Sequence, residues 1–90
     1  LDVTLTKGAG ATDAFIMIDL KGVPIGADNK GVAKVDPDDP LHDIQVVVRG
    51  QHPATCDFKV MQGAVQLAGG TLTVSFGKRV AGYVDEFSHV

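Results

Sequence analysis

The feature that most constrains this chain is alternation. Over short runs, apolar and polar residues exchange places every second position, and each run gives way to a cluster of Gly, Pro, Asp or Asn. A period of two places successive side chains on opposite faces of a strand, so such a run buries one face of a sheet and not one stripe of a helix. The first residues show it cleanly: Leu1, Val3 and Leu5 alternate with Asp2, Thr4 and Thr6. Cys56, Phe58 and Val60 alternate with Asp57 and Lys59, and Leu72, Val74 and Phe76 with Thr71, Thr73 and Ser75. The nearest rival helical segment, residues 56–67, opens with period two and contains Gly63.

The expected strands are residues 1–6, 13–20, 32–35, 43–49, 56–60, 64–67, 71–76 and 80–87. Residues 23–25 read as an edge segment, because Pro24 has no N–H to give to a ladder. In 13–20, Ala14, Ile16, Ile18 and Leu20 form one face and Phe15 and Met17 the other, which predicts partial cover on both sides. Loops fall at 7–12, 26–31, 36–42 and 50–55, and Gly69-Gly70 reads as a break. The 26–31 turn is expected to close a hairpin whose return strand is 32–35. Ninety residues, 44% of them hydrophobic, suffice for one domain over 1–90 with a single modest core. The fold class is therefore all-β: an antiparallel two-sheet sandwich of about seven strands, immunoglobulin-like in its layers, with a small β-barrel as the alternative.

Charge and composition exclude several functions. A net charge of −3 with 21% charged residues does not suit a polybasic nucleic-acid binder. No apolar run approaches the ~20 residues of a membrane-spanning helix, so no membrane insertion is expected. Cys56 has no partner for an internal disulfide. The first residues carry neither an initiating Met nor a signal-peptide pattern, and the expectation is a processed product or a domain of a longer protein.

The densest set of candidate ligands is acidic. Asp28 and Asn29, then Asp36, Asp38, Asp39 and Asp43, lie within sixteen residues. Calcium takes six to eight oxygens, often from carboxylates on a flexible loop, so Asp28, Asp36, Asp38 and Asp39 are candidate calcium ligands. The competing account is that Asp makes turns here. EF-hand spacing is absent, and the two loops flank a short strand, which separates them by roughly 13 Å. No other cofactor is expected.

Catalytic patterns fail one by one. His52 and Cys56 stand four apart, but zinc sites show paired ligands, and Cys56 falls on an apolar strand face, where a buried, inert thiol is expected. The only serines, Ser75 and Ser88, lie in no nucleophile motif, and Glu86 is the single glutamate. The glycines of 63–70 do not have dinucleotide-binding spacing. Phe15, Phe58, Phe76, Phe87 and Tyr83 fall mostly on expected core faces, and Lys78-Arg79 reads as a solvated turn. Neither a nucleic-acid platform nor a carbohydrate platform emerges. The expectation is a protein that is not an enzyme.

The segment Gly22-Val-Pro-Ile-Gly-Ala-Asp-Asn-Lys-Gly-Val-Ala, together with Ala81-Gly82-Tyr83, resembles the prealbumin-like and carboxypeptidase-regulatory-like β-sandwiches. Gly22, Pro24, Asp28, Gly31, Gly82 and Tyr83 carry the likeness. The 36–42 loop and the residues beyond Tyr83 depart from that pattern. The resemblance implies an accessory, non-catalytic module of a larger extracytoplasmic protein and supplies no catalytic residue. The functional expectation is thus a structural or interaction module whose partners are proteins or neighbouring domains, reached through an edge such as 23–25 or the loops at one end. A calcium-binding sandwich is the alternative.

Overall fold

The computed structural model describes residues 1–89, which form strands and turns and no helix. The strands are β1 (Asp2–Lys7), β2 (Ala11–Ile18), β3 (Lys21–Gly22), β4 (Lys30–Val32), β5 (Leu41–Gly50), β6 (Thr55–Gln62), β7 (Val65–Thr73) and β8 (Val80–Ser88). Two four-stranded antiparallel sheets result, in the orders β4-β1-β6-β7 and β3-β2-β5-β8. The sandwich expected from the alternation is the fold observed, with eight strands, two of them very short.

The core is what the alternation selects. Val3 and Leu5 of β1 and Cys56, Phe58 and Val60 of β6 face Ile16 and Ile18 of β2 and Ile44, Val46 and Val48 of β5. Burying each such side chain is worth about 1.5–3 kcal/mol. Phe58 and Tyr83 touch at 5.0 Å between ring centroids and so link the two sheets beside β7 and β8.

Four expectations are corrected. Residues 32–35 do not return against 23–25. β4 pairs with β1 (Asp2↔Val32, Thr4↔Lys30), so residues 23–29 carry the chain from one sheet to the other. The 26–31 turn itself forms as expected: Asn29 takes φ 65° and Gly26 N–H donates to Lys30 O at 2.9 Å. It joins sheets instead of hairpin strands, and Pro24 O packs where a Gly31 Cβ would stand.

Leu20 does not extend the apolar face of β2. Asp19 and Leu20 both adopt positive φ in the two-residue β2–β3 turn, and Leu20 is 71% exposed. Gly69-Gly70 does not break a strand either: both stay paired within β7, opposite Lys59 and Phe58. The Phe58 ring covers Gly70, and the turn lies instead at Gly63, with φ 58°. Finally, β5 begins at Leu41, which brings His42 out of the expected loop and into the sheet. Continuing the inward series Ile44, Val46, Val48 backwards by two places His42 on the core side, where it is 1% exposed.

Candidate functional site

The aspartates singled out from sequence are occupied locally. Asp28 Oδ1 accepts from Lys30 N–H at 3.1 Å, Asp36 Oδ1 from Asp38 N–H at 2.9 Å, and Asp39 Oδ1 from Leu41 N–H at 3.2 Å. Each is the turn-forming bond that Asp makes to its own backbone two residues on. Asp28 lies beside β1 and β4, before Lys30, while Asp36, Asp38 and Asp39 lie in the β4–β5 connection. Among the described residues, no group of three or more His, Cys, Asp or Glu is placed to hold a metal ion. Cys56 is fully buried, and burial pushes its thiol up, with the neighbouring Asp57 charge adding to the shift.

The structure brings together three residues that sequence reasoning left apart. His42 Nδ1 lies 2.8 Å from Asp19 Oδ2, and His42 Nε2 lies 2.7 Å from His89 Nδ1. Asp19 Oδ1 also accepts from Asp43 N–H at 3.0 Å. Register makes this arrangement. Ile18 pairs with Ile44, which sets the β2–β3 turn beside the start of β5, and His42 pairs with Phe87, which brings the end of β8 alongside. The rings pack as well, with centroids 4.9 Å apart for His42–His89 and 5.5 Å for His42–Phe87.

Burial alone pushes the Asp19 carboxyl up. The bonds from His42 and Asp43 N–H, with the His42 and Lys21 charges, outweigh it and hold the group below the usual carboxylate range. With Asp19 ionised, His42 donates from Nδ1. His42 Nε2 then either accepts from His89 or, once protonated, donates to it. The line Asp19–His42–His89 thus ends at a groove of about 710 Å³ lined by Leu1, Val35, Pro37, Gln62 and His89 among others. Among the described residues that lining includes no hydroxyl or thiol, and its ionisable side chains besides His89 are Asp2 and Lys34. The line ties the β2–β3 turn, the head of β5 and the end of β8 into one polar clasp around the buried His42.

The outer faces of the two sheets differ sharply. On β4-β1-β6-β7 the outward series is mainly polar: Asp2, Thr4 and Thr6 on β1, Asp57 and Lys59 on β6, and Thr71 and Thr73 on β7, with Thr71 donating to Asp57, while Val32 of β4 and Met61 of β6 flank Asp2 at one end. On β3-β2-β5-β8, Phe15 and Met17 stand opposite Val47 and Gln45, with Val84 and Val80 on β8 beyond. Phe15 is 52% exposed and Val84 74% exposed, with no element of the described chain laid over them. The expectation of partial cover on both sides of β2 is met only in part: Met17 is half-buried and Phe15 is exposed.

At the end of the sandwich opposite the clasp, His52 Nδ1 bonds Val74 O at 2.8 Å and its ring meets Phe76, itself 87% exposed. Arg49 and Arg79 line a shallow groove there with Thr12 and Gln51. Comparison with protein-family models, with curated proteins and with solved structures finds no match to this chain.

Proposed function

We propose that this domain is a non-catalytic interaction module whose working surface is the outer face of the β3-β2-β5-β8 sheet. The observation that carries this reading is the contrast between the faces: threonines, aspartates and lysine over most of one sheet, with Val32 and Met61 only at its end, and Phe15, Met17, Val47, Val80 and Val84 outside the other. A sandwich needs apolar side chains only between its sheets. A second apolar face adds nothing to its own core and marks a surface that another protein or domain covers. The resemblance of residues 22–33 and 81–83 to accessory sandwich modules supports the same reading.

The test is photo-crosslinking in the native setting, with a photoreactive residue placed at Val84 or, for comparison, at Lys59 on the other outer face. The proposed function predicts a discrete crosslinked product from Val84 and none from Lys59. Equal capture from both positions, or none from Val84, would reject it.

A further inference from the structure

The partner of the apolar face is legible in the charges that frame it. The molecule is elongated, 42 × 24 × 20 Å, and along the outer face of β5 and β8 opposite charges gather at opposite ends. At one end the outer face of β5 and β8 carries Asp43 directly opposite Glu86. Like charges facing each other across a ladder repel, and no cation is bonded or ion-paired to either among the described residues. At the other end Arg49 stands opposite Val80, with Lys78 and Arg79 in the adjoining turn. Asp13 approaches Arg49 there at 3.8 Å, and Lys78 and Arg79 have no ion pair among the described residues. Between the ends lie Phe15, Met17, Gln45, Val47 and Val84.

We infer that the β3-β2-β5-β8 face binds a second copy of this chain, face to face and with strands antiparallel, so that Asp43 and Glu86 of each copy meet Arg49, Lys78 and Arg79 of the other. This rests on the proposed function and names its partner. Two copies related by a twofold axis can stack their sheets in two limiting ways. An axis along the strands superposes like ends, setting the Asp43–Glu86 pair on its own image. An axis across the strands superposes unlike ends, and both contacts become attractive. Only the second arrangement supplies the missing cations to Asp43 and Glu86 while covering the apolar centre. The face is four strands wide, roughly 19 Å, which places the interface at the small end of specific contacts. Association is therefore sought up to about 1 mM chain.

The test is sedimentation of the unmodified chain across that concentration range at low and high salt, followed by zero-length carbodiimide crosslinking of Lys78 to carboxylates. Within one copy Asp43 and Arg49 are six residues apart on a strand, about 20 Å, so a Lys78–Asp43 or Lys78–Glu86 amide joins two copies and reports the antiparallel arrangement. The inference predicts a concentration-dependent dimer, weakened at least tenfold by high salt or by Arg49→Glu, carrying that crosslink. Mixing Arg49→Glu/Lys78→Glu/Arg79→Glu chain with Asp43→Lys/Glu86→Lys chain is predicted to restore association, because both contacts are then again of opposite sign. A chain that stays monomeric at about 1 mM, or a dimer crosslinked elsewhere, overturns it. If Val84 still captures a different protein in the native setting, the proposed function stands while this inference falls.

Discussion

At the scale of single residues, the clasp of Asp19, His42 and His89 is the sharpest polar feature in the domain. His42 has a fully buried side chain, and a buried donor left without its acceptor costs about 1–3 kcal/mol. Asp19→Ala removes the acceptor of both His42 Nδ1 and Asp43 N–H, so a loss of about 2 kcal/mol at neutral pH is expected in equilibrium unfolding. The pH dependence has a definite sign. The folded-state pKa of Asp19 is lowered, so its stabilisation is fully present above the unfolded value of about 3.9 and is lost as pH falls through the folded value. The stability gap between the native chain and Asp19→Ala should therefore be widest above about pH 4 and close below it. A gap independent of pH would show that Asp19 acts by packing alone.

At the scale of elements, the turns test the account. Leu20 holds φ 64° while 71% exposed, a left-handed conformation that costs an L side chain about 1–2 kcal/mol. Leu20→Gly removes that strain and loses little packing, so a gain of about 1 kcal/mol, read as a higher melting temperature, is expected. Gly31 is the opposite case. A Cβ there would collide with Pro24 O, a backbone atom of the crossover between sheets. Gly31→Ala should destabilise by about 1–3 kcal/mol in denaturant unfolding, and no loss would mean that the crossover can move aside.

These elements also show what the sequence discloses. Alternation located β1, β5 and β6, and it placed Cys56, Phe58 and Val60 in the core, because burial of one sheet face is a local, period-two signal. Which strands pair is a non-local property, and the 23–25/32–35 hairpin was misread for that reason. Gly69-Gly70 carries a turn signature, yet the Gln66 side chain lies against Gly69 and the Phe58 ring against Gly70. The clasp was hidden by distance along the chain: residues 19, 42 and 89 meet only through the registers of β2 with β5 and β5 with β8. The one local clue was His42 in step with Ile44, Val46 and Val48. The apolar outer face was half visible, in Phe15 and Met17 opposite the Ile16–Ile18 face.

At the scale of the whole molecule, the two outer faces, one threonine-rich and one with an apolar centre, are the account's central claim. The chain carries its own pair of probes for it, since Met17 lies on the outer face of β2 and Met61 on that of β6. Thioether oxidation follows solvent access. The most direct measurement is oxidative footprinting of both methionines, in the isolated chain at low concentration and in its native setting. The account predicts that Met17 is oxidised in the isolated chain and protected in the native setting, while Met61 reacts equally in both. Equal oxidation of Met17 in both states, or protection of Met61 instead, would contradict it.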